Sequence, residues 1–253
     1  MVATWRLVPF HFKPGFLPQL IIMKKIFYLI LILFLNSNLV LSQECNIYIP
    51  NTVGTELHYE MTNQKGKVLG SYTQKLLSIK NKGGETIYSM LQTTMDKSSK
   101  DKVILSDTIT FRCKGNEFYI DMDQYLNQKQ MEAFQNMEVK ITTDDLMYPP
   151  NLKPGQSLKD GSITISIEGG VMNMNMTTNI VNRKVEALEN IDTPAGNFKC
   201  YKLSEEVQSK TGFVNVTIRN VMWISKDIGT IRSESYNKKG KLTGITQLVK
   251  IVK

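Results

Sequence analysis

Histidine is nearly missing from this chain: there are 2 in 253 residues, and one of them, His11, falls in the first 42. A His/Cys metal cluster, a His-paired nucleophile and a His proton shuttle would all have to use His58. That residue sits in Glu56-Leu57-His58-Tyr59-Glu60, the setting of an ordinary strand histidine between acids. A glycine-rich phosphate loop and a nucleophile elbow are also missing. The tight acid pairs, Asp121-Met122-Asp123 and Asp144-Asp145, lack the ligand offsets and bending glycine of a calcium loop and read as solvated turn acids. With so few groups suited to proton transfer, we expect no enzyme, no metal and no cofactor.

A membrane span is missing too. The apolar run Ile26–Leu35 is interrupted by Asn36, Ser37 and Asn38, well short of the ~20 residues a span requires. Preceded by Met23-Lys24-Lys25 and followed by Val40-Leu41-Ser42, it has the three parts of a signal peptide. Residues 1–22 add nothing that such a leader needs and read as a start called too early. The expected division is a leader over 1–42, with the signal peptide at 23–42, and a single β-rich domain over 43–253. This places the mature chain outside the cytoplasm, secreted or periplasmic, with no stable span after processing. Glu44 stands just ahead of Cys45, where a lipidated cysteine needs a small residue, so an unlipidated mature end is expected.

The formal charge of +8 also shrinks on inspection. Arg6, Lys13, Lys24 and Lys25 belong to the leader, which has no acid, so half of the excess leaves with it. The remaining lysines are scattered over turns and form no basic stripe interleaved with aromatics, which argues against nucleic acid.

What is present is alternation. Runs of apolar and polar residues, broken every dozen residues or so by Gly, Asn and Lys, predict antiparallel meanders with about ten strands in all. Strands are expected at Glu56–Thr62, Val68–Ile79, Thr86–Met95, Val103–Cys113 and Glu117–Ile120. A second set is expected at Ser162–Ile167, Met172–Ile180, Phe198–Val207, Phe213–Ser225, Thr230–Tyr236 and Leu242–Val252. Between the sets, Asn127 and Gln130 form a capping box for one short helix to Asn136, with Met131, Phe134 and Met137 on its apolar face. One strand at Glu138–Thr142 follows. Tyr148-Pro149-Pro150-Asn151-Leu152-Lys153-Pro154-Gly155 is then an extended loop, because three prolines bar helix and central strand alike. The middle segment is thus a crossover between two meanders. Asn63-x-Lys65-Gly66-Lys67 in the first hairpin is echoed by Asn237-x-Lys239-Gly240-Lys241 in the last. Duplication and convergent turn chemistry both produce such an echo, and convergence is the simpler account.

Of the three cysteines, a pair should bridge in an oxidising compartment. In a meander, strand four returns to the end that strand one leaves. Cys45 and Cys113 therefore share a rim and are the expected disulfide, while Cys200 alternates with Phe198 as a core residue would. Met172, Met174 and Met176 share one strand face, and methionine adapts to irregular apolar partners. With Phe134 above them, they are the candidate lining of an apolar groove for a lipid-like ligand.

Several stretches carry a family resemblance: Cys45, Tyr48 and Pro50; Lys65-Gly66-Lys67; Phe111-Arg112-Cys113; Tyr119-Ile120-Asp121-Met122. Asn182-Arg183-Lys184-Val185-Glu186, Thr193-Pro194-Ala195-Gly196-x-Phe198-x-Cys200-Tyr201-Lys202 and Glu234-Ser235-Tyr236 extend it over nearly all of Gln43–Lys253. The chain resembles the TapB-like family of secreted bacterial proteins, related to a wider domain of unknown function. The resemblance implies a strongly curved antiparallel sheet, a half-barrel like that of the lipoprotein carriers, and no catalytic residues. The functional expectation is a non-enzymatic binding protein with an apolar groove. The alternative is an interaction module that pairs with a protein partner through an edge strand.

Overall fold

The computed structural model describes residues 45–99, 102–126, 137–169 and 174–253. All of them belong to one compact unit, Gln43–Lys253. The alternating runs form strands and the Gly/Asn/Lys clusters turn them. The first meander comprises β1 (Glu56–Thr62), β2 (Val68–Lys82), β3 (Glu85–Asp96), β4 (Lys102–Lys114) and β5 (Glu117–Ile120). A 3-10 turn at Met122–Tyr125 leads on to β6 (Glu138–Asp144) and β7 (Leu146–Tyr148). The second meander is β8 (Gly161–Glu168), β9 (Met174–Thr193), β10 (Gly196–Thr211), β11 (Val214–Ser225), β12 (Gly229–Asn237) and β13 (Leu242–Val252). The expected helix from Asn127 to Asn136, with Phe134, lies outside the described residues, as do the leader and Met172.

The thirteen strands of the described residues belong to one antiparallel sheet in the order β6-β8-β9-β10-β11-β12-β13-β1-β2-β3-β4-β5-β7. The meanders meet where β13 pairs with β1, Leu248 opposite Tyr59. The two strands that end this order are neighbours in sequence, separated only by Asp145. β6 pairs with β8, Ile141 opposite Ile165, and β7 pairs with β5, Met147 opposite Tyr119. One extended run therefore touches both ends of the sheet and curls it into a nearly closed, barrel-like form. Alternation alone leaves Tyr148 in the proline loop and gives about ten strands. β7 escaped it because it is three residues long, has no turn before it and is cut off by Pro149.

Charge and close approach hold this seam. Arg112 on β4 donates from Nε to Asp121 (2.6 Å), from Nη1 to Glu85 (3.2 Å) and from Nη2 to Asp145 (2.6 Å). The other Asp145 oxygen accepts the Met122 main-chain N–H at 2.9 Å. Asp121 and Asp145 are therefore clamp acids and not solvated turn acids; Asp123 and Asp144, the latter paired with Lys159, are exposed. Gly161 lies so close that an added Cβ would sit 2.5 Å from Leu146 Cδ2 and 3.0 Å from the Asp144 carbonyl.

The lead-in to β1 is part of the core. Ile47, Tyr48 and Ile49 are buried among Leu76, Met90, Phe111, Phe118, Val185 and Leu203, drawn from both meanders. The Ile47 carbonyl accepts the Asp227 N–H at 2.9 Å, and Asn46 donates to the Pro150 carbonyl. Cys45 is bonded to Cys113 at the end of β4 (S–S 1.97 Å, Cα–Cα 6.1 Å). A second cluster joins Leu57, Tyr59, Cys200, Val221, Trp223, Ile231 and Leu248. From Val221 to Ile224, β11 alternates between the two clusters, so both faces of that part are covered.

Candidate functional site

The lead-in and the seam together frame a cavity of about 190 Å³. Its apolar walls include Ile109 and Phe111 of β4, Ile120 of β5, Leu146 of β7, and Met222 and Ile224 of β11, with the rings of Tyr48 and Tyr148 beside them. Its polar groups are Thr230, the Gln74 and Gln92 amides, hydrogen-bonded to each other at 2.8 Å, and the Glu205 carboxyl. Most of the lining residues are apolar, yet polar atoms make up about half of the wall surface, a composition that suits a small amphipathic molecule.

Glu205 is only 6% exposed and faces Arg183, itself 2% exposed, with Nε 3.6 Å from Oε2. The guanidinium lies over the Tyr148 ring at 4.8 Å and donates from Nη1 to the carbonyls of Lys159 and Met147. Arg183 Nε and Nη2 have no hydrogen-bond partner among the described residues. Burial pushes the Glu205 carboxyl above the usual carboxylate range; the Arg183 charge and a bond from Asn220 oppose it and do not win.

A bulge puts this pair inside. Asn182 takes φ 56°, and the β9–β10 register slips between Ser204 and Glu206. Ile180, Arg183 and Val185 are all buried, so the inward phase of β9 changes at Asn182. Bulges re-aim side chains in this way. Asparagine tolerates the left-handed region better than other non-glycine residues.

A second cavity, about 410 Å³, lies beside the lead-in and the end of β13. Pro50, Leu57, Phe198, Ile228 and Ile251 form its apolar part, with Lys226, Asp227 and Lys253 among its polar residues.

Of the four residues expected to line a groove, two are described. Met174 and Met176 are half-buried on β9, opposite Ile167 and Ile165 of β8. Neither lines either cavity. Tyr48, Arg183 and Glu205 line or flank the cavity and are not among the residues expected from the sequence. Glu205 had a signal, because in Leu203-x-Glu205-x-Val207 an acid holds the apolar phase of a strand. Cys200 is the free thiol, fully buried, pushed up to about 11 by desolvation and then by Glu189.

The sequence pattern of the DUF3108-like family matches residues 52–248, most of the chain. The chain belongs to this family. Among solved structures, it is similar to a candidate exported protein with a YmcC-like fold from Bacteroides fragilis. The identity is 23%, the TM-score 0.64, and the match covers 83% of this chain and all of that one. A candidate lipoprotein from Parabacteroides distasonis is similar at 21% identity and a TM-score of 0.66, with the same coverage. At these identities the likeness shows the fold alone, which is similar to the YmcC-like fold of the Bacteroides fragilis protein. No curated protein matches the chain.

Proposed function

We propose that this DUF3108-like protein is a non-enzymatic binding protein of the cell envelope that takes a small amphipathic ligand, apolar with a hydrogen-bonding head, into the cavity beside Tyr48 and Tyr148. The observation that carries this reading is the lining: aromatic and aliphatic walls with two amides and one buried carboxyl at fixed positions. Size narrows the ligand. The cavity is larger than the ~150 Å³ apolar cavity that accommodates benzene. It is smaller than the ~300 Å³ at which drug-sized sites begin. A ring or a short alkyl segment fits, and a long acyl chain would have to reach beyond these walls. A hydrogen-bonding head on the ligand would meet Gln74, Gln92 and Glu205.

The absence of an enzymatic role rests on the chemistry of the candidate groups. His58 pairs with Glu56 at 3.1 Å on the partly exposed face of β1, and the Cys200 thiol is buried and held protonated. Export agrees with the leader at 23–42, with the Cys45–Cys113 bond, and with what is said of the two structural neighbours. Within the wider family, the Pro194-Ala195-Gly196-x-Phe198-x-Cys200-Tyr201 stretch supports the TapB-like branch as the finer assignment. The edge-strand alternative has one observation in its favour. β5 pairs with β4 only from Phe111 onward, which leaves the start of β4, with exposed Val103, Ile104 and Leu105, unpaired by β5.

The test fills the cavity. An apolar dye should gain fluorescence in the native protein, and Met222→Trp should remove that gain while leaving the melting temperature within a few degrees of the parent. Native mass spectrometry of protein from its own host should show a small bound molecule. A parent that neither enhances the dye nor carries a ligand would sink the proposal, and an adduct trapped along Val103–Leu105 would support the edge-strand reading.

A further inference from the structure

Three consecutive hairpins turn at the rim opposite the disulfide, β1/β2, β12/β13 and β10/β11. The echo in the sequence becomes a spatial pair there. β1 and β13 are neighbours, Thr62 opposite Ile245, so the two Asn-x-Lys-Gly-Lys turns stand side by side. They are built alike: Asn63 Oδ1 accepts the N–H groups of Lys65 (2.9 Å) and Lys67 (3.0 Å). Asn237 Oδ1 accepts those of Lys239 and Lys241, both at 3.0 Å. Each turn is thereby fixed by its own backbone, and the lysine side chains are left exposed. With Lys238 and Lys210, the three tips carry six exposed lysines and no acid.

The third tip adds apolar surface. Phe213 is fully exposed (105%) and Val214 is 64% exposed, at the end of the β10/β11 hairpin. The last pair between β11 and β12 is Ile218 opposite Asn237, so Val214–Thr217 continue beyond β12. Four strand residues add about 13 Å of length. An apolar tip that projects past the end of β12, beside a cluster of lysines, matches the two layers of an anionic bilayer surface. Apolar groups at such a surface sit roughly 5–10 Å deep, at the headgroup–acyl boundary, and cations remain at the headgroups.

We infer that this rim docks on anionic phospholipid membranes, with Phe213 and Val214 entering the interface and the twin lysine turns meeting the headgroups. The docking is peripheral and independent of the cavity, so either can fail alone. The opposite rim mixes charges at every turn, with Glu85, Glu117, Asp192 and Asp227 among its lysines, whereas on this rim Asp96 lies beyond the three tips, at the end of β3 opposite Gly70.

Co-sedimentation with vesicles tests the inference. The purified protein should bind vesicles of phosphatidylglycerol and phosphatidylcholine in equal parts, should not bind phosphatidylcholine alone, and should release as salt is raised. Phe213→Ser should lower the partition coefficient by about tenfold or more. Lys239→Gln should lower it by roughly fivefold at low salt. Both positions are exposed, so the variants should keep the parent's melting temperature. No binding to the anionic vesicles overturns the inference. So does binding that Phe213→Ser leaves unchanged, or capture by an acidic protein with no affinity for vesicles.

Discussion

Glu205 shows what one buried carboxyl contributes at the residue scale. Its folded-state pKa lies above the unfolded value, because burial outweighs the pull of Arg183 and Asn220. For an acid raised on folding, the native state holds the proton more tightly, so stability is highest below the unfolded pKa and falls as pH rises through the raised range. Glu205→Gln removes that titration. The parent's stability relative to the variant should therefore decline from acid pH upward, a trend readable from melting temperatures over a pH series. A difference that grows with pH would mean that the Arg183 pair stabilises the charged form after all. Tyr48 and Cys200 act differently at this scale: burial raises both, and neither ionises near neutrality.

At the scale of elements, the run from Glu138 to Tyr148 decides the architecture. A single residue, Asp145, separates the half that pairs with β8 from the half that pairs with β5. Its carboxylate is fixed by Arg112 and by the Met122 N–H. The two other acids on Arg112 are shifted in opposite directions. Glu85 is lowered, chiefly by its bond to Arg112, while Asp121 is raised because desolvation outweighs the same guanidinium. Arg112→Met would leave three carboxylates facing one another with only Lys114 near Glu85. Arg112 is 24% exposed, between the limits of surface and buried pairs, so a loss of roughly 2 kcal/mol is expected from denaturant titration. Without the cation, the acids gain protons more readily than in the parent. The deficit should then shrink as pH falls through the carboxylate range. A deficit that ignores pH would assign the role of Arg112 to packing over Tyr119, 5.6 Å away, rather than to charge.

At the scale of the whole molecule, the sequence was most informative where local chemistry acts alone. Glu56–Thr62, Glu117–Ile120 and Leu242–Val252 are strands with the expected bounds, because alternation and a glycine or asparagine turn suffice to define them. Closure was not legible, because β7 gains its partner from β5, a segment without any local signal for it. The Arg183–Glu205 pair was hidden for a related reason: a bulge at Asn182 reverses the phase of β9, and periodicity assumes that phase is kept. The methionine stripe was visible as a pattern, yet alternation cannot say which face of a strand meets a cavity.

The disulfide links these scales, because it fixes the lead-in whose side chains form one wall of the cavity. Cys45 and Cys113 enclose a loop with a sequence separation of 68 residues. Chain entropy for such a loop corresponds to about 4 kcal/mol of stabilisation through the unfolded state. Replacing both cysteines by alanine should therefore lower the melting temperature by roughly 10 °C for a domain of this size. The cavity offers a second readout. Ile47, Tyr48 and Ile49 are held from one side by the bridge and from the other by the Asp227 N–H on the Ile47 carbonyl. With the bridge gone, burial, that hydrogen bond and the one from Asn46 to the Pro150 carbonyl retain Tyr48 against Phe118 and Tyr148. Dye binding should weaken more steeply with temperature in the double variant than in the parent, beginning below its melting point as the lead-in detaches before the sheet. If binding and melting instead move together, the lead-in is held by the core alone, and the bridge stabilises the fold without shaping the site.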